Sequence, residues 1–168
     1  MKYKVVNQEV LYTVENITTI NRDDIDKLKE LAKTNPRKRI RLCTHHDIQD
    51  DIHEMIIVHS YGTYVPPHKH VGKSESFHVI EGLLNIVLFD EIGNVERHVY
   101  MGDKESGKHF YYRIPDDCFH TVIPITEVVV FHEVTKGPFL PDKTIFASWA
   151  PNSKDDIKLQ QAFQNSII

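Results

Sequence analysis

Between Arg37 and about Trp149 the chain is a succession of short runs rich in β-branched and aromatic residues, cut by Gly, Pro, Asp and Asn. Ile56-Ile57-Val58, Leu83 to Phe89, Phe110 to Ile114 and Val128 to Phe131 read as strands, and Asp90-Glu91-Ile92-Gly93-Asn94 reads as a hairpin loop between two of them. Many short strands at regular spacing restrict the fold to an antiparallel sandwich or barrel. Ahead of this region Ile25, Leu28, Leu31 and Ala32 recur at helical spacing. Asn21 or Thr19 is placed to cap that helix, Asp23 and Asp24 favour the positive end of its dipole, and Pro36 stops it. From Pro151 onward the chain is polar and weakly helical. The expected organisation is an N-terminal extension with one helix over residues 1–36, a β-barrel over 37–150 and a tail over 151–168.

Composition narrows the partners. The 168 residues are 40% hydrophobic and 26% charged, as in an ordinary soluble globular domain. A net charge of -4 offers no general affinity for nucleic acid or anionic lipid. No apolar stretch approaches the ~20 residues of a membrane span, and the first residues lack the apolar core of a secretory signal. Cys43 and Cys118 form neither a C-x-x-C pair nor a disulfide framework. A cytoplasmic location is therefore expected. The unusual count is histidine, 11 residues, all between His45 and His132.

The segment from Gly62 to Gly82 reads GTYVPPHKHVGKSESFHVIEG. His68 and His70 are two apart, so on a strand both imidazoles project from one face. Glu75 follows a short turn at Val71-Gly72-Lys73-Ser74, which is expected to return the chain antiparallel and set the carboxylate opposite the imidazoles. Two imidazoles and a carboxylate on one inward face make a ligand set for a divalent metal, with Fe, Mn, Zn, Ni and Cu all compatible. About 40 residues downstream, His120 ends a Pro115-x-x-x-x-His120 turn motif and is the candidate for a third imidazole. A distant strand that delivers it would complete a site with positions open for water or substrate.

This spacing (glycine, H-x-H, glutamate, glycine) resembles the first signature of the cupin superfamily, and Gly62, His68, His70, Glu75 and Gly82 fill it without a gap. Pro115 to His120 resembles the second, with Asp117 where the family prefers glycine. The resemblance implies an all-β fold, the cupin double-stranded β-helix or jelly-roll barrel, here with a short N-terminal helical extension. It also implies a metal held by His68, His70, Glu75 and His120, and a homodimer paired through sheet edges. RIRLCTH from Arg39, DIHEMII from Asp51, YVPPHKH from Tyr64, HEVTKGPF from His132 and Trp149-Ala150-Pro151 are similar to the WbuC family of cupin-fold metalloproteins. That narrower resemblance implies a place in O-antigen and lipopolysaccharide metabolism, with the reaction left undefined.

Around the ligands, His45 and His132 are candidates for donors or acid/base groups, because imidazole titrates near neutrality. Tyr64 shares parity with His68 and His70 and is a third catalytic candidate. Arg39 and Arg41 share one face of a strand-like run, suited to gripping a phosphate or carboxylate; the alternative is an edge strand protected by charge. Tyr112, just before the His120 turn, is a further substrate-binding candidate. His78 is expected on the opposite face from Glu75 as a packing or interface residue, and His46, His53, His98 and His109 are expected to be solvated or paired. Two functions follow. One is a metal-dependent enzyme, an isomerase, epimerase or oxygenase acting on a sugar or nucleotide-sugar-like small molecule. The other is a non-catalytic, metal-bound small-molecule binding module.

Overall fold

A computed structural model describes every residue from Met1 to Ile168. In chain order the elements are β1 (Tyr3–Asn7), β2 (Val10–Thr13), α1 (Arg22–Thr34), β3 (Arg39–Cys43), β4 (Ile52–Ser60), β5 (His68–His70), β6 (Glu75–Glu81), β7 (Leu83–Phe89), β8 (Val95–Gly102), β9 (Tyr111–Ile114), β10 (Phe119–Pro124), β11 (Val128–Lys136), β12 (Thr144–Phe146) and α2 (Ile157–Ser166). The strands form two sheets, ordered β1-β2-β3-β4-β11-β6-β9 and β12-β5-β10-β7-β8. Within them β4-β11-β6-β9 faces β5-β10-β7-β8, each pair antiparallel. This is a cupin-type jelly roll, the fold that the resemblance to the cupin signature implies.

The N-terminal helix forms as expected. Asn21 caps it, its side chain accepting from the Asp24 N–H at 3.0 Å while the Asp24 carboxylate accepts from the Asn21 N–H at 3.2 Å. Ile25, Leu28 and Ala32 pack with Ile40, Leu42, Ile56 and Val58 on the outer face of the larger sheet. Two further strands, β1 and β2, precede the helix. Because β2 runs parallel to β3, the chain needs a crossover between them, and α1 supplies it. β3 consequently lies between β2 and β4 rather than at an edge, which removes the charged-edge explanation for its arginines.

Strand alternation sorts the barrel interior from its covers. Met55, Ile57, Phe77, Val79, Leu84, Ile86, Val129 and Phe131 point inward. On the other sheet Val87, Phe89, Phe119 and Ile123 point outward, where the C-terminal segment covers them with Ala147, Trp149, Phe163 and Ile167. The tail is therefore docked. Gly82 is the single residue between β6 and β7, where the chain passes from one sheet to the other. Its φ is +82°, and a Cβ there would stand 2.3 Å from the Val128 carbonyl oxygen, so the position requires glycine. No helix is long and apolar enough to cross a membrane.

Candidate metal centre

β5 lies between β10 and β12, and its register sets His120 directly opposite His68 and Thr144 opposite His70. His68 and His70 share a face, as their spacing predicts, and His120 arrives from β10 with its ring centroid 4.6 Å from that of His68 and 6.1 Å from that of His70. One ligating nitrogen from each of the three falls within 4.8 Å of the others. Glu75 comes from the facing sheet. The turn at Val71 to Ser74 does not fold β6 back onto β5 as a hairpin. It carries the chain across the barrel, since β6 pairs with β11 and β9. The carboxylate still meets the imidazoles, with Oε1 2.9 Å from His70 Nε2 and Oε2 3.1 Å from His120 Nε2.

The Nδ1 atoms are held by a second layer. His68 Nδ1 lies 2.9 Å from the Pro66 carbonyl, His120 Nδ1 3.0 Å from the Cys118 carbonyl, and His70 Nδ1 3.0 Å from Thr144 Oγ1. A carbonyl only accepts, so the Nδ1 atoms of His68 and His120 carry protons and their Nε2 lone pairs are left facing inward. For His120 that lone pair faces a carboxylate oxygen. Two acceptors at that separation require a cation between them, either a proton on the imidazole or a metal ion. The donor set therefore fits a divalent metal.

The electrostatics agree. Burial, then the charge of neighbouring His120, lowers His68 to about 3, so it is neutral and ready to ligate. Burial also acts to lower His120, but the hydrogen bond and charge of Glu75 outweigh it and raise the imidazole above its ordinary value. Burial acts to raise Glu75, and the hydrogen bonds from His120 and His70 override it, holding the carboxyl well below the usual carboxylate range. The turn before His120 forms despite lacking the family's glycine. Asp117 adopts φ +62°, its N–H donates to the His70 carbonyl at 2.9 Å, and its carboxylate pairs with Lys69 at 3.0 Å. Aspartate is among the few residues that tolerate this left-handed conformation.

Other candidates separate by face. His132 belongs to the outward parity of β11, opposite Ile56 and His78, and its Nε2 lies 3.8 Å from Glu54 Oε1. It points away from the three histidines and does not reach the site. Tyr64 does not reach it either. Residues 61–67 are not a strand, so parity fails there, and Tyr64 Oη donates to the Pro151 carbonyl at 2.6 Å while the ring packs against Phe163. Arg39 is tied to Glu9 through its Nε at 2.7 Å. Arg41 is exposed and unpaired on the same strand face. Tyr112 does face inward, opposite Phe77, with its hydroxyl buried and without a partner.

His45 is buried, stacked on His53 at 4.1 Å, with its Nδ1 3.1 Å from the Glu54 carbonyl and 3.2 Å from the Glu54 nitrogen and its Nε2 buried without a partner. His53, opposite Thr135, which in turn pairs with Glu75, stands between His45 and the centre. His53 is buried and paired, as one of its two expected states, with its Nε2 3.2 Å from the Ile48 carbonyl. His78 is exposed on the outer face, as its parity predicts, with its ring tilted at 57° to Phe110 and 5.8 Å from it. Thr144 and Glu133 were not among the sequence candidates. Thr144 lies 74 residues from the histidine it orients. The signal for Glu133 was available in principle, since an acidic residue flanked by inward Phe131 and Thr135 must itself face inward. An open groove of ≈ 560 Å³ beside α1, lined by Asp23, Asp26, Lys27 and Glu30, is a solvated helix face without converging ligands.

A family described as a domain of unknown function (DUF6016) matches residues 20–101, which includes His68, His70 and Glu75. Among curated proteins none matches the sequence. A solved protein from Shewanella oneidensis is similar in structure at TM-score 0.56 and 15% identity, over 76% of this chain and 85% of that one. Oxalate decarboxylase from Bacillus subtilis aligns at TM-score 0.47 and 20% identity over 59% of this chain. The alignment spans only 24% of the decarboxylase. The Cnp3 cupin domain of Schizosaccharomyces pombe aligns at TM-score 0.46 and 11% identity, over 59% and 64% of the two chains. At 15% identity the likeness to the Shewanella oneidensis protein concerns the fold alone.

Proposed function

We propose that this chain binds one divalent metal ion through His68, His70 and His120, with Glu75 as a fourth donor, and uses the centre on a small polar molecule. The observation that carries this reading is His120, whose two ring nitrogens both face acceptors, the Cys118 carbonyl and the Glu75 carboxylate. A bound divalent ion would polarise a ligand oxygen as a Lewis acid. The chain's own residues do the rest. The Pro66 and Cys118 carbonyls and the Thr144 hydroxyl fix the three rings, and burial keeps His68 uncharged. The inward Tyr112 hydroxyl and the exposed Arg41, on the same strand face as Cys43, offer hydrogen bonds to an oxygen-rich ligand.

The similarity of RIRLCTH, YVPPHKH and HEVTKGPF to the WbuC family supports a sugar or nucleotide-sugar-like substrate in surface-polysaccharide metabolism. Isomerisation, epimerisation or oxygenation of such a molecule suits a three-histidine, one-carboxylate centre. Elemental analysis of the purified full chain tests the reading, with His120→Ala and His68→Ala as controls. About one metal per chain is expected, lost in both variants. A protein that never retains metal, and whose stability a chelator leaves unchanged, would sink it. Turnover of candidate nucleotide sugars by the loaded protein then separates an enzyme from a binding module.

A further inference from the structure

Tyr112 carries a polar atom where the barrel interior is otherwise apolar. On β9 it faces inward opposite Phe77 of β6, with the two rings 5.8 Å apart. Two residues along β9, Ile114 stands opposite Glu75, so Tyr112 is the diagonal cross-strand neighbour of a candidate ligand. Diagonal neighbours in an antiparallel pair lie about 7–8 Å apart, within reach of an aromatic side chain. Phe77 and Ile114 are both buried and apolar, and a phenylalanine at 112 would suit them as well. The hydroxyl is the exception, buried and without a hydrogen-bond partner. Tyr64 shows the contrast, since its hydroxyl is bound by the Pro151 carbonyl at 2.6 Å. A buried hydroxyl left unpaired costs stability unless a ligand or an ordered water meets it.

We infer that Tyr112 Oη anchors the ligand held at the three-histidine centre, donating a hydrogen bond to an oxygen that the ligand carries beside the one the centre holds. This rests on the metal-centre reading given above and names the ligand class for it. A phenol keeps its proton at neutral pH, so the group donates and selects an acceptor. Tyr112 and Glu75 rise from adjacent strands into the same interior, so the oxygen that Tyr112 meets belongs to the same small part of the ligand. A carboxylate, or two hydroxyls on adjacent carbons, has its oxygens placed in this way. Sugars and sugar acids carry both groups.

The test uses the full chain loaded with cobalt(II), as wild type and as Tyr112→Phe, with acetate and imidazole as probes. Acetate presents two oxygens, whereas imidazole binds cobalt through nitrogen and offers no oxygen acceptor. Titrations followed in the visible cobalt spectrum read both affinities, and thermal unfolding reads the metal-free proteins. Tyr112→Phe should retain cobalt with the same spectrum, bind acetate about tenfold more weakly and bind imidazole as wild type does. Its metal-free midpoint should be no lower than that of wild type, because the substitution removes no hydrogen bond of the fold. Unchanged acetate affinity overturns the inference, since the hydroxyl then meets only an ordered water. Equal weakening of acetate and imidazole overturns it too, as the ring would merely shape the cavity, and a lowered midpoint would reveal a partner within the fold. Failure of wild type to bind cobalt overturns the metal reading itself and the inference with it.

Discussion

His59 is fully enclosed on the inner face of β4, edge-on to Phe131 at 5.4 Å, with a Nδ1 that has no partner. Burial first, and then Arg39 and Arg37, lower it from 6.5 to about 3. The sign of the consequence follows from linkage. Above about pH 6.5 neither the folded nor the unfolded chain protonates it, and below that the unfolded chain alone takes up the proton. Stability is therefore complete at neutral pH and falls by about 1.4 kcal/mol per pH unit, down to about pH 3. His59→Leu should flatten urea-unfolding midpoints measured between about pH 7 and about pH 5; an unchanged slope would contradict this account. At the same scale, Thr144→Val removes the partner of His70 Nδ1. Metal affinity should drop 10- to 100-fold, by titration against a chelating indicator, with the fold intact.

The elements show why local pattern was enough for some features and blind to others. Leu28 and Ala32 are completely buried on the helix face that the 3.6-residue spacing picks out. Leu28→Ala should cost about 2–5 kcal/mol in chemical unfolding, and Asn21→Ala about 1 kcal/mol through loss of the capping box. If Leu28→Ala is nearly neutral, the helix does not pack on β3 and β4 as described. β2 is not marked in the sequence because VLYT is short and fully buried, with no polar alternation, and β1, YKVVN, is exposed along most of its length and has no core face to alternate with. Tyr64 and His132 were misplaced for related reasons. Parity counted through Pro66-Pro67 has no meaning where no strand exists, and parity on β11 sends His132 outward once Phe131 is known to face the core.

For the whole molecule, a metal at this centre would be coupled to the fold, because the candidate ligands come from both sheets. His68, His70 and His120 belong to one sheet and Glu75 to the other. An ion bound to all four would staple the barrel, adding about 2.7 kcal/mol of stability at a free concentration of 100 times Kd. Removing metal with a chelator should lower the thermal midpoint of wild type by several degrees, and re-addition should restore it. His120→Ala should abolish the response. A wild-type midpoint indifferent to both treatments would mean that the four groups do not bind an ion together.

An antiparallel sandwich or barrel, the helix with its cap, and the H-x-H, glutamate and distant histidine of the centre are legible in the sequence, and the jelly roll is what the resemblance to the cupin signature adds. Each is written in short-range periodicity or fixed spacing, which the backbone converts into a face or a turn without reference to the rest of the chain. Only the tertiary structure decided which sheet delivers Glu75, that Thr144 orients His70, that Arg39 belongs to Glu9, and that Glu133 stands unpaired beside the centre. These depend on strand order and on pairing between residues tens of positions apart. A chain's local pattern says which way a side chain points, but not what it will meet.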